Sequence, residues 1–112
     1  MIKNLKTLAI LLLILLLSAC VSARVSQELQ QGRLHYQAGL YRQAFDELLP
    51  LATEGNKEAQ YAVGYMYYNG YGVARDPDTG KFWMKKSAAQ GYPPAVEAER
   101  DLRGQPKKVR RH

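Results

Sequence analysis

From Leu8 to Leu17 the chain is apolar at ten successive positions, with Lys3 and Lys6 ahead of the run and Ser18-Ala19-Cys20 behind it. After Ser26 the pattern changes from a block to a period. Leu29, Gly32, Arg33 and Tyr36 recur at spacings of three and four, and Leu34 and Ala38 make a second such pair, so a helix is predicted that stops at Gly39. Tyr41, Ala44, Phe45, Leu48, Leu49 and Ala52 give a strong second stripe, in which Pro50 is expected to bend the helix or end it early. Ala59, Ala62, Val63, Met66 and Tyr67 form a third, closed by Asn69-Gly70. A fourth helix is predicted from about Pro77 to Gln90, capped by Asp76, with Trp83, Met84, Ser87 and Ala88 inward. Gly91 stops it, and a last helix follows from Ala95 to about Arg103 with Ala95, Ala98 and Leu102 inward. β-branched residues are few and nothing alternates, so no strand is expected.

The pattern repeats. Shifted by 36 residues, Leu48 falls on Met84, Ala52 on Ala88, Gly55 on Gly91, Ala59 on Ala95, Ala62 on Ala98 and Met66 on Leu102. A helix pair of this period predicts an all-α fold, a short α-solenoid of antiparallel helix hairpins with about five helices. Small residues at equivalent points let helix axes approach closely.

The opening block has its own meaning. A basic head, a short apolar body and small residues before a cleavage point read as a secretory signal. The alternative is a transmembrane anchor, but Leu8 to Val21 is 14 residues interrupted by Ser18, and a spanning helix needs about 20. Leu17-Ser18-Ala19-Cys20 resembles the lipobox of bacterial lipoproteins. That resemblance implies a diacylglycerol on the Cys20 thiol, cleavage before Cys20 and acylation of the new terminus. The organisation expected is a signal peptide at 1–19, a lipidated tether at 20–26, a helical repeat domain at 27–103 and a basic disordered tail at 104–112. Val21 after the cysteine, where an Asp would favour retention at the inner membrane, implies the periplasmic side of the outer membrane.

A second resemblance lies in the body of the chain. Ala59-Gln60-Tyr61-Ala62-Val63-Gly64-Tyr65-Met66-Tyr67-Tyr68-Asn69-Gly70-Tyr71-Gly72-Val73, continuing through Asp76, Trp83, Lys86, Ala88 and Gly91, is similar to a Sel-one-like repeat, a relative of the tetratricopeptide repeat. Tyr36, Ala38-Gly39, Tyr41, Ala44 and Leu48 to Ala52 resemble a degenerate tetratricopeptide unit. Thr79 and Gly80 depart from the family, which usually has Lys and Ala there, and Gly80 is expected to weaken the start of the fourth helix by roughly 1 kcal/mol. The resemblance implies a scaffold that holds protein partners on a concave face, as in envelope adaptors and lipoproteins of polysaccharide export.

Charge alters this picture little. The formal net charge of +6 belongs to the ends, because residues 20–102 hold 9 basic and 10 acidic side chains. Nucleic acid is therefore not an expected partner. Cys20 is the single cysteine, so no internal disulfide is possible. No nucleophile, base or ligand set appears, so no catalytic residue, cofactor or metal site is expected. His35 reads as a surface histidine, Ser87 as packing, Asp46-Glu47 as a solvated face, Asp76 and Asp78 as capping, and Gly70-Tyr71-Gly72 as an interhelical turn. Tyr61, Tyr65 and Tyr68 fall at i, i+4 and i+7, rotated away from Ala62, Val63 and Met66, and are the candidate partner-binding stripe. Lys107, Lys108, Arg110 and Arg111 are candidates for contact with anionic lipid or polysaccharide. The reading is a lipid-anchored envelope adaptor for a protein or peptide partner. The alternatives are a cell-wall-directed enzyme or small-molecule binder, or a purely structural subunit.

Overall fold

The computed structural model describes residues 2–104, and all five elements in that span are helices: α1 Ile2–Gln37, α2 Tyr41–Thr53, α3 Lys57–Asn69, α4 Pro77–Ala89 and α5 Pro93–Gly104. Each packs along the next in chain order, which makes a short α-solenoid of helix hairpins. The 36-residue shift carries α2 onto α4 end for end, and the first residue of α3 onto the first of α5. The turns repeat too. Asn56 N–H donates to Leu51 O at 3.0 Å and Tyr92 N–H to Ser87 O at 3.4 Å, each reaching past a glycine of positive φ, Gly55 and Gly91.

Ala44, Phe45, Leu48, Leu51 and Ala52 from α2 and Ala59, Val63 and Met66 from α3 form the core, with Val25, Leu29 and Tyr36 of α1 and Trp83 of α4 packed against it. Pro50 neither ends nor shortens α2, which continues to Thr53. Its ring is exposed, and its carbonyl still accepts from Glu54 N–H at 3.0 Å. Leu34 is 54% exposed and Ala38 is exposed as well, so this pair faces solvent rather than forming an inward stripe. α5 turns Ala95 fully inward, with Ala98 and Leu102 half-buried.

The structure adds to two expectations. In the full-length chain α1 runs unbroken through 20–26, the segment expected to be a tether after cleavage. No Gly or Pro interrupts these residues, the hydroxyls of Ser22 and Ser26 bond back to the carbonyls of Ser18 and Ser22, each at 2.9 Å, and Arg24 pairs with Glu28 at 3.1 Å. Every residue from 4 to 24 is exposed, and contact with the core begins at Val25. The second concerns Gly80, which is buried. A Cβ there would lie 2.7 Å from Gly64 O and 2.8 Å from Tyr68 N, and one on Gly64 would lie 2.8 Å from Gly80 O. Two glycines facing each other let α3 and α4 touch backbone to backbone, so the propensity lost in α4 is the condition of the crossing. The tail 105–112 lies outside the described residues.

Candidate functional site

On a neighbouring face of α3, a gap toward α1 leaves a groove of about 460 Å3. Leu29, Leu48 and Ala62 make its apolar floor; Tyr36, Tyr61, Tyr65 and Tyr92 make its walls; Arg33, Gln37 and Glu58 supply its polar groups. The spacing explains the assembly. Leu29, Arg33, Tyr36 and Gln37 share one face of α1, and Glu58, Tyr61, Ala62 and Tyr65 share one face of α3. Tyr92 arrives from the turn before α5. An ion pair between Arg33 and Glu58 ties the two helices across the gap.

The tyrosines continue beyond the groove as a contiguous row. Ring centroids step 5.7 Å from Tyr92 to Tyr61, 6.2 Å to Tyr65 and 6.1 Å to Tyr71. Tyr71 stacks on Tyr41 at 4.7 Å, and Tyr36 meets Tyr41 edge-on at 5.2 Å. Gly72 makes that stack possible: its φ is +75°, and a Cβ there would lie 2.6 Å from the Tyr41 carbonyl. The turn Gly70-Tyr71-Gly72 therefore delivers a ring to the row.

Among the described residues, none of the hydroxyls of Tyr36, Tyr41, Tyr61, Tyr65, Tyr71 and Tyr92 has a hydrogen-bond partner within the chain, and none is sealed away from solvent. Burial, and then the neighbouring Tyr65, Tyr41, Tyr71 and Tyr61, push the Tyr36 hydroxyl up to about 12. Burial, with Tyr65 and Tyr92 next, raises Tyr61 as well. Both phenols are thus firmly neutral hydrogen-bond donors at physiological pH.

The predicted stripe divides. Tyr61 and Tyr65 line the groove, and Tyr65 is the more exposed at 38%. Tyr68 does not: its backbone lies against Gly80, and its carbonyl accepts from Arg75 Nε at 3.2 Å. Tyr36, Tyr71 and Tyr92 were not singled out from the sequence because they belong to three different segments, and no one-helix period links them. Arg33, which spacing placed with Leu29 and Tyr36, sits at the groove with them, its charge paired. His35 Nδ1 donates to Glu47 Oε2 at 2.7 Å, a bond between α1 and α2 that draws Glu47 out of the solvated face expected for it. Ser87 is buried and donates to Lys57 O at 2.6 Å. Gln90 Nε2 reaches Gly55 O and Gln60 Oε1, each at 2.9 Å, while Gln60 Nε2 donates to Ala52 O. Asp76 caps α4 by accepting from the Thr79 N–H and hydroxyl, which lowers its pKa. Cys20 is exposed on α1, and no cluster of metal-ligating side chains occurs among the described residues. Lys107, Lys108, Arg110 and Arg111 lie outside the described residues.

Comparison with known proteins agrees with this architecture. Residues 57–92, which cover α3, α4 and the turn to α5, match the Sel1 repeat family, whose repeats generally mediate protein–protein interaction. A stretch of 44 residues, 39% of this chain, is 48% identical to chitin synthase regulatory factor 3 of Schizosaccharomyces pombe. The chain spans only 5% of that protein's length. No solved structure matches.

Proposed function

We propose that this chain is a membrane-anchored adaptor that holds a protein partner in the groove between α1, α3 and the start of α5. The observation that carries this reading is the row of half-buried tyrosine rings whose hydroxyls have no partner among the described residues, set over an apolar floor. Tyrosine is enriched at protein interfaces because one side chain offers a large apolar face and a hydrogen-bonding tip. The family match supports an interaction role, and the yeast relative shares the repeat alone, so its regulatory role is not carried over.

Anchoring rests on Leu17-Ser18-Ala19-Cys20; the exposed apolar half of α1, removed by cleavage before Cys20, would carry the precursor to the membrane. That helix, from Asn4, is long and apolar enough to cross a membrane, with a mean hydropathy of 2.5 over its best window. Leu8, Leu12 and Leu16 are each more than half exposed, a surface that water does not favour. Acylation of Cys20 with cleavage before it is the reading adopted, with the periplasmic side of the outer membrane as the site of residence. The basic tail would add attraction to anionic lipid or polysaccharide. Replacing Cys20 with Ala should leave an unprocessed, unacylated precursor.

A photo-crosslinking residue in place of Tyr65, in cells producing the full-length chain, tests the groove. It should give discrete adducts with a protein, whereas the same residue in place of Phe82, exposed on α4 away from the groove, should give none. Adducts from position 82 alone would move the binding face to the far side of the solenoid.

A further inference from the structure

Three kinds of occupant could lie on the tyrosine row: an amphipathic helix, an extended strand or a polyproline II segment. Their unsatisfied backbone groups differ, and this separates them. A bound helix has its carbonyls bonded internally and would cover the tyrosine hydroxyls with an apolar face that offers them no acceptor. A strand alternates N–H and C=O groups that are best satisfied along a sheet edge, and no sheet edge exists among the described residues. A polyproline II segment has no internal hydrogen bonds, presents free carbonyls all round and, at each proline, has no N–H to satisfy. The groove is the complement of that list. Among the described residues its hydroxyls at Tyr36, Tyr61, Tyr65 and Tyr92 have no partner, and each can donate to a carbonyl, as can the amide nitrogen of Gln37.

We propose that the ligand of the groove is a proline-rich segment in the polyproline II conformation, its pyrrolidine rings laid on the tyrosine faces and its carbonyls accepting from the tyrosine hydroxyls. This names the partner chemistry of the site argued above, and so rests on that reading. Aromatic-lined grooves read polyproline II in unrelated folds for the same reason, since the ligand is extended before it binds and loses little entropy. The row also sets a length. Its steps of 5.7, 6.2 and 6.1 Å from Tyr92 to Tyr71 leave room for no more than about six residues at ~3.1 Å each. The neutral state of Tyr36 and Tyr61 keeps both as donors across the physiological range.

The test uses the full-length chain in detergent micelles and a fluorescein-labelled peptide of Ala-Pro-Pro repeats, about nine residues long, followed by anisotropy. The controls are a Leu/Ala amphipathic helical peptide of equal length and a uronic-acid oligosaccharide, each used as a competitor. The proline peptide should bind saturably and resist both competitors. Tyr65→Phe, which keeps the ring and removes only the hydroxyl, should weaken binding about three- to tenfold, the worth of one net hydrogen bond. Tyr65→Ala should abolish binding, and Phe82→Ala should change nothing. Tighter binding of the helical peptide, displacement by the oligosaccharide, or an unchanged affinity for Tyr65→Phe would each overturn the assignment. Adducts from position 65 in cells combined with no binding of the proline peptide would leave the binding face standing and remove only the ligand class. Absence of both would remove the two together.

Discussion

α3 faces α4 and α1 in contrasting ways. Toward α4 it presents Gly64, and a Cβ at Gly80 would fall 2.7 Å from the Gly64 carbonyl. Toward α1 it presents Tyr61 and Tyr65, and a groove of about 460 Å3 remains. One side closes on two facing glycines; on the other, α1 and α3 both pack on α2, and rings line the gap left over Leu48. The closed face is also fastened by polar bonds, from Ser87 to Lys57 O and from Gln90 to Gln60 and Gly55. Among the described residues the open face is tied by Arg33 to Glu58. Rigidity on one side lets the helix display rings on the other in a fixed arrangement, which suits recognition better than a mobile surface would.

The comparison is broken most severely at the glycine crossing. By propensity alone Gly80→Ala should stabilise α4 by about 1 kcal/mol. The contact reverses that sign, because the atoms met are backbone and cannot rotate aside, and overpacking costs about 1–3 kcal/mol. Thermal unfolding followed by circular dichroism should therefore show a lower Tm, by several degrees for a domain this small. Gly32→Ala sharpens the point. Its methyl would meet only the Leu48 side chain, at 2.7 Å, which can shift, so a smaller loss is expected. A Gly80→Ala variant more stable than the parent would show that the crossing is looser than described.

Ser87→Ala examines the polar fastening of the same face. It removes a buried hydroxyl whose bond to Lys57 O is 2.6 Å long, with an expected loss of about 1 kcal/mol in chemical denaturation. The groove should be untouched. Were Tyr65 to lose its ligand in this variant at temperatures below melting, the two faces would not be independent.

The smallest effect is on the open side and depends on pH. Burial and four neighbouring tyrosines raise Tyr36 from 10.0 to about 12. The folded state thus binds this proton more tightly than the unfolded state. The stability it contributes is complete below pH 10 and is lost as pH rises through about 12. Absorbance titration of tyrosinate should show one class of phenols lagging the rest, and Tyr36→Phe should remove that lag and flatten the alkaline loss of stability. A titration in which all tyrosines ionise together near 10 would mean that the rings around Tyr36 do not converge.

Most of the fold is legible in the sequence, because it rests on signals within single helices. The stripe at Ala44, Phe45, Leu48 and Ala52, the cap at Asp76 and the repeated glycines at 55 and 91 each follow from local period or turn chemistry. The groove was only half legible. Tyr61 and Tyr65 share a helix face with a visible period, but Tyr36, Tyr71 and Tyr92 are brought to them by the stacking of three segments. Tyr68 was grouped with the stripe because of its i, i+7 spacing, yet it lies about 10 Å further along the axis than Tyr61, beyond the groove and against Gly80 of α4. Gly80 was misjudged for the same reason: its importance lies in Gly64, sixteen positions away, and a propensity scale sees only its own helix. Residues 20–26 read as a tether by composition, and in the full-length chain α1 continues through them.

The most direct test of the two-faced reading of α3 sets Tyr65→Ala beside Gly80→Ala and measures both melting temperature and partner adduct in each. The adduct is read from a crosslinking residue placed at Gln37, on the α1 side of the groove. Tyr65→Ala should lose the adduct while melting like the parent, since that ring is among the most exposed of the row. Gly80→Ala should melt lower while retaining the adduct at temperatures where it is folded. If both variants lost stability and adduct together, or Tyr65→Ala proved the less stable of the two, α3 would have one structural role on both sides and the groove would be no binding face.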